Sequence, residues 1–183
     1  GELVLIDAGA EYACYASDIT RTFPVNGKFT EEQRQIYQIV LDSQYAAIEA
    51  AQPGNVWNDP HEAAVKVIGQ GLLDLGILSG TLEAVIEDET YKEFFMHKTG
   101  HWLGMDVHDV GSYKQDGGWR LLQSGMVLTV EPGCYIRPAA DVPEHFWNIG
   151  IRIEDDVAVT QAGNEVLTAA APKEVADIEE LMQ

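Results

Sequence analysis

The sequence predicts an α+β fold, with helices backing a mostly antiparallel sheet. Three observations predict it. One helical apolar stripe runs through Ile36, Tyr37, Val40, Leu41 and Ile48, and another through Ala64, Val67, Ile68, Leu72 and Leu75. From residue 97 onward the apolar runs become short and are punctuated by Gly and Pro, as strands are. Ahead of the helices, Leu3-Val4-Leu5-Ile6 and Ile19-Thr20-Arg21-Thr22 supply two more strand-like runs.

In chain order, residues 3–7 and roughly 11–25 are predicted as two strands joined at Gly9, and Asn26-Gly27-Lys28 is a turn signal. Thr30 is the expected N-cap of the first helix, and Gln33 completes a capping box. That helix runs to about Ala51, and Pro53-Gly54 ends it. A second helix takes Asp59 as its cap and Pro60 as its first residue, and stops near Gly76. Residues 81–94 are assigned a third, short helix. A histidine-containing strand and loop follow from 97, then strands at 126–131, 133–137, 149–160 and 165–170. The stretch 111–120 is expected to be a loop, and Pro172 with Lys173-Glu174 opens a last helix.

At 183 residues and 46% hydrophobic content, the chain is long enough for one good core and is most simply one domain. A net charge of −19, from 11 basic and 30 acidic residues, argues against nucleic acid or anionic membrane as a partner. Cys14 and Cys134 are too sparse for a disulfide framework, which points to a reducing cytoplasm. No apolar run approaches the roughly 20 residues that span a bilayer, and no signal peptide is visible. The first residues lack an initiator Met and enter a strand at once, which reads as a cut through an existing domain.

Four carboxylates and one histidine stand out: Asp7, Asp18, His101, Glu131 and Glu154. Each adjoins an apolar strand or a Gly-rich turn, so each is expected to face inward. Side chains alternate along a strand, which puts Arg152 with Glu154, Thr129 with Glu131, and Asp18 with Thr20 and Thr22 on common faces. Buried acids in such number need counter-charge, and nearby bases are few. Carboxylate and imidazole donors suit Mn²⁺, Co²⁺, Fe²⁺ or Zn²⁺, with the oxygen-rich set favouring Mn²⁺. Two cations roughly 3.5–4 Å apart fit this number of acids. His97 and His108, on either side of His101, read as donors to a substrate carbonyl or a developing oxyanion. Arg152 reads as the partner that orients a ligand carboxylate. His61 and His145 are expected to be structural, Asp155 and Asp156 to make turn or solvent contacts, and Tyr12, Tyr15, Trp102 and Tyr135 to pack in the core.

Five segments carry a resemblance. They are Ile6-Asp7-Ala8-Gly9, Ser17-Asp18-Ile19-Thr20-Arg21-Thr22-Phe23-Pro24, His101-Trp102-Leu103-Gly104-Met105-Asp106-Val107-His108-Asp109, Val130-Glu131-Pro132-Gly133 and Ile151-Arg152-Ile153-Glu154-Asp155-Asp156. Together they resemble the Xaa-Pro aminopeptidases (aminopeptidase P), which are pita-bread metallopeptidases like prolidase and methionine aminopeptidase. The resemblance implies that Asp7 chelates one metal, that His101 and Glu131 bind the other, and that Asp18 and Glu154 bridge both. It implies manganese, contact of His97 and His108 with substrate, and peptides with proline at the second position as substrates. Family members are commonly oligomeric, which makes a homo-oligomer an expectation. The expected chemistry is hydrolysis by a hydroxide bridging two metals, with Glu131 carrying the proton to the leaving nitrogen and His97 or His108 steadying the oxyanion.

Two departures from the family pattern appear. Lys98-Thr99-Gly100 replaces a Gly-Leu pair common after the first histidine, altering the pocket rim. Full-length members also carry an N-terminal domain and the opening of the catalytic domain, with another functional histidine. Residues 1–183 are therefore expected to be a partial catalytic domain, truncated on its N-terminal side. The rival readings are a prolidase, an inactive fragment, and a metal-free peptide-binding module on the same fold.

Overall fold

Capping sets the first helix. In the computed structural model, which describes residues 1–183, the Thr30 hydroxyl accepts from the Gln33 amide and the Gln33 side chain accepts from the Thr30 amide. This reciprocal box satisfies two of the N–H groups a helix start leaves free. Helix α1 spans Glu31–Ala50 and α2 spans Asp59–Asp74. Their buried faces meet through Ile36, Tyr37, Val40 and Leu41 on one side and Ile68 and Leu72 on the other. Each such fully buried side chain contributes about 1.5–3 kcal/mol.

The strands are β1 (Leu3–Ala8), β2 (Glu11–Tyr12), β3 (Tyr15–Ala16), β4 (Ile19–Pro24), β5 (Lys114–Gln115), β6 (Gly118–Trp119), β7 (Val127–Val130), β8 (Gly133–Tyr135), β9 (Gly150–Arg152), β10 (Asp155–Thr160) and β11 (Gly163–Val166). Every pairing is antiparallel: β1 with β4, β2 with β3, β5 with β6, β8 with β9, and β7–β10–β11 in one sheet. The β1–β4 pair meets β9 through Thr22, whose hydroxyl donates to the Arg152 carbonyl and accepts from the Arg152 amide. Two short helices, α3 (Leu82–Glu87) and α4 (Val175–Leu181), complete the fold. The predicted α+β class with an antiparallel sheet backed by helices is what the structure shows, and no helix is long and apolar enough to cross a membrane.

Several boundaries differ, each for a local reason. The expected strand over 11–25 is interrupted at Ala13 and Cys14, whose φ of 51° and 64° turns a small hairpin before β4 begins. The helix predicted for 81–94 breaks at Glu89, where φ is 55°, and resumes as a 3₁₀ turn at Thr90–Glu93. The strand predicted over 149–160 leaves its ladder at Ile153 and Glu154, where the Glu154 amide turns to the Thr20 carbonyl. The strand expected at 165–170 lies at Gly163–Val166, because Thr168 is turned to bond Asp155 and Asp156. The last helix starts at Val175, since Pro172 and Lys173 are held by Arg21 and Asp155. Helix α2 begins one residue early, and Asp59 accepts from the Val56 amide rather than capping. The loop at 111–120 contains the β5–β6 hairpin, turned at Asp116-Gly117.

The histidine-bearing segment after 97 is extended chain rather than a full strand. It lies antiparallel to β7 through three backbone bonds: Glu131 to Thr99, Thr129 to His101, and Leu103 to Val127. A side chain on Gly100 would strike the Thr129 carbonyl, so only glycine permits this approach.

Candidate metal centre

The register of β1 and β4 places Asp7 opposite Thr20, with Asp18 just ahead of β4. The extended 99–103 segment brings His101 beside β7, and Glu131 follows that strand directly. Glu154 sits in the break between β9 and β10. One ligand atom each from Asp18, His101 and Glu154 lies within 4.8 Å of the others. His101 Nε2 is 3.4 Å from Asp18 Oδ2 and 3.5 Å from Glu131 Oε1. Asp7 is tied to the cluster through Arg152, whose Nη2 lies 2.5 Å from Asp7 Oδ2 and whose Nε donates to the hydroxyl of Thr20, the donor to Glu154. Three of the five residues singled out from the sequence gather in one cluster, Glu131 stands beside His101, and Asp7 is joined to them by way of Arg152.

Burial differs from the expectation that all four acids face inward. Glu154 and Asp18 are buried, but the Asp7 side chain is 45% exposed at the mouth of a cleft of about 480 Å³ that His108 also lines. That asymmetry gives the site a closed floor and an open rim.

The electrostatics call for a cation. Burial, with the charges of Glu131, Asp18 and Asp7 adding to it, pushes the Glu154 carboxyl up to about 8 against the hydrogen bond from Thr20. Burial takes Glu131 to about 7 against the pull of Arg152. Asp18 is raised by burial first and then by the neighbouring Asp7 carboxyl. Asp156 is pushed up by burial to about 6. The His101 ring is oriented for ligation. Its Nδ1 lies 3.0 Å from the Trp102 carbonyl, which can only accept, so Nδ1 carries the hydrogen and Nε2 is the nitrogen that faces Asp18 and Glu131. Backbone-fixed tautomers of this kind are typical of metal-binding histidines. A lone pair confronting carboxylate oxygens fits a divalent ion between them, and the donor set fits a hard to borderline metal.

Partners around the ligands fix their geometry. Thr20 Oγ1 donates to Glu154 Oε2 at 2.6 Å and accepts from Arg152 Nε at 3.2 Å. Thr129 Oγ1 donates to Glu131 Oε1 at 3.2 Å and accepts from the His101 amide. His97 Nε2 meets the Tyr135 hydroxyl at 2.9 Å, and the same hydroxyl lies 3.3 Å from Arg152 Nη1. Burial lowers the His97 pKa. The His108 ring stands edge-on to His101, with centroids 4.3 Å apart.

Several residues read otherwise from the sequence. Asp155 and Asp156 are buried, not at a turn or in solvent. Asp156 accepts from the Asp18 amide, and Asp155 is paired with Arg21 and Lys173 at 2.7 Å each. Tyr12 and Tyr15 are exposed rather than packed in the core, while Trp102 is buried as expected. Tyr135, also expected in the core, presents its hydroxyl to the site instead. Thr20 and Thr129 were legible only as sharing faces with Asp18 and Glu131; their place as hydrogen-bond donors to ligands needed the fold. His61 is buried, as a structural histidine would be.

Known proteins resemble this chain over its whole length. The Xaa-Pro aminopeptidase of Haemophilus influenzae is 58% identical over 100% of this chain and 42% of its own length. The Xaa-Pro aminopeptidase of Escherichia coli is 54% identical over 100% of this chain and 41% of its length. Among solved structures, Pseudomonas aeruginosa aminopeptidase PepP superposes with a TM-score of 0.98 at 57% identity, covering 100% of this chain and 41% of that one. Zinc-substituted E. coli aminopeptidase P in complex with product gives 0.95 at 54% identity, with the same two coverages. The chain therefore spans about two fifths of the length of these relatives, and its architecture is that of the pita-bread fold. With the profile of that family matching residues 1–161 as well, the chain belongs to metallopeptidase family M24, whose members use divalent metal ions.

Proposed function

We propose that residues 1–183 form part of the catalytic domain of a metalloaminopeptidase that hydrolyses the bond between an N-terminal residue and a following proline. The carrying observation is the meeting of Asp18, His101 and Glu154 within 4.8 Å, with Glu131 and Asp7 beside them. The names and identities of the relatives support the substrate class.

Asp7, Asp18, His101, Glu131 and Glu154 would hold a pair of divalent ions, with Asp18 and Glu154 central to both. When bound, such a pair polarises a carbonyl and lowers the pKa of water toward neutrality, and the oxygen-rich donors favour manganese. The protein's own share is orientation and proton handling. Arg152 aligns Asp7 and, through Thr20, the Glu154 carboxylate. Glu131, beside the point of attack, carries a proton to the leaving proline nitrogen. The exposed His108 meets the substrate in the cleft. His97 and Tyr135 form one hydrogen-bonded unit beside Arg152, placed to steady a developing oxyanion.

The test is release of the first residue from an Xaa-Pro-Xaa peptide with and without Mn²⁺. Metal-dependent release is expected. Cleavage that proceeds equally after chelation would reject the mechanism, and preference for an Xaa-Pro dipeptide over the tripeptide would make the site that of a dipeptidase.

A further inference from the structure

His61 lies on α2, outside the ligand set, yet its contacts lead to His97. Its Nδ1 shares a 2.8 Å hydrogen bond with Thr99 Oγ1. Its ring lies against Phe95, with centroids 5.6 Å apart, and Phe95 meets His97 edge-on at 5.0 Å. His61 therefore holds the chain at two points that flank His97. Both His61 and Thr99 are buried, so neither group exchanges its partner for water without cost. Burial, ahead of Lys98, His97 and Lys92, brings the His61 pKa down to about 4, which keeps the ring neutral and the contact free of buried charge.

The consequence lies in the Lys98–Thr99 peptide. His97 Nδ1 sits 2.7 Å from the Lys98 carbonyl, an oxygen that can only accept, so Nδ1 carries the hydrogen and Nε2 is left to accept from the Tyr135 hydroxyl. The orientation of that carbonyl depends on the residue after it. The Thr99 side chain is tied to His61, and its own carbonyl receives the Glu131 amide at 2.8 Å.

We infer that His61 is a positioning residue: through Thr99 it locks the Lys98–Thr99 peptide, and that peptide fixes the tautomer of His97 and so the direction of the Tyr135 hydroxyl. Thr99, expected from the sequence to alter the pocket rim, is instead buried against His61 of α2. The inference rests on the proposed function only for its catalytic importance; the locking itself is independent of it.

The experiment uses the metal-free protein labelled with ¹⁵N-histidine, its imidazole nitrogens read by long-range ¹H–¹⁵N spectra. Wild type is expected to show His97 as a single Nδ1–H tautomer. Thr99→Val, which keeps the volume and removes the hydroxyl, is expected to mix the two tautomers of His97 while His101 is unchanged. Thr99→Ser is expected to restore the wild-type pattern, as a purely steric role would not require. If Thr99→Val does not fold, Thr99→Ala and His61→Phe report the same loss. A folded Thr99→Val, Thr99→Ala or His61→Phe protein with an unaltered His97 tautomer overturns the inference. In the kinetic arm, Thr99→Val lowers kcat for an Xaa-Pro peptide by about 10-fold, the lower end for loss of an outer-shell partner, with KM little changed. A wild-type protein that cleaves no such peptide defeats the peptidase reading and leaves the spectra to decide the role of His61.

Discussion

A single hydroxyl ties the floor of the site together. Thr20 Oγ1 is the donor to the most deeply buried ligand candidate, Glu154, and the acceptor for the guanidinium that aligns Asp7. Thr20→Val keeps the shape and leaves a buried oxygen of the Glu154 carboxyl without its donor. Such a loss costs about 1–3 kcal/mol, which urea denaturation of the metal-free protein would register. An unchanged unfolding midpoint would show that Thr20 only fills space. At this scale the sequence was informative wherever an acid interrupts apolar residues, because desolvating a charge demands a reason. Asp7, Asp18, Glu131 and Glu154 were found that way. Asp156 was not, because it reads as one more member of an acidic run until the Asp18 amide is seen to bond it. Tyr135 escaped for the opposite reason: an aromatic ring in an apolar setting gives no sign of where its hydroxyl points.

Among elements, the break between β9 and β10 does most to form the site. The chain leaves the ladder for Ile153 and Glu154 and re-enters it at Asp155, which anchors the return. Asp155 is fully buried and bonds Arg21, Lys173, Gln44 and Thr168. Arg21 also donates to the Glu154 carbonyl at 2.6 Å and to the carbonyls of Ala171 and Pro172. The segment before α4 is thereby strapped behind Glu154. Asp155→Asn removes the one charge that compensates two buried cations, and breaking a buried pair in this way costs about 3–5 kcal/mol. Thermal unfolding is the check, and a shift no larger than that of a surface substitution would show the strap to be dispensable. Long elements were legible because period and caps agree, as in α1 with Thr30 and Gln33. The short ones were not, since residues such as Glu89, Ala13 and Cys14 adopt left-handed backbone that their side chains do not favour. The β5–β6 hairpin is the exception: Asp116-Gly117 is a hairpin signal in its own right, inside the stretch expected to be a loop.

For the whole molecule, the gathered acids make stability depend on pH in an unusual direction. Folded Glu154 and Glu131 hold protons up to about 8 and about 7, whereas the unfolded chain releases them near the ordinary 4.5. Between those values the folded state binds more protons, so metal-free stability falls as pH rises. His61 works the other way, since burial lowers it from 6.5 to about 4, but its contribution is complete above 6.5. The decline is therefore cleanest from pH 7 to 8, up to the Glu154 value of about 8, and a chemical denaturation series should show it. Divalent metal, which takes the deprotonated carboxylates, should reverse it. Constant stability across that range would mean the acids are not gathered as described. The most direct measurement is anomalous diffraction at the manganese edge from crystals grown with Mn²⁺. The account predicts a peak enclosed by Asp18, His101 and Glu154, where their ligand atoms lie within 4.8 Å of one another. No peak there, or manganese found only among the scattered surface carboxylates, would contradict it.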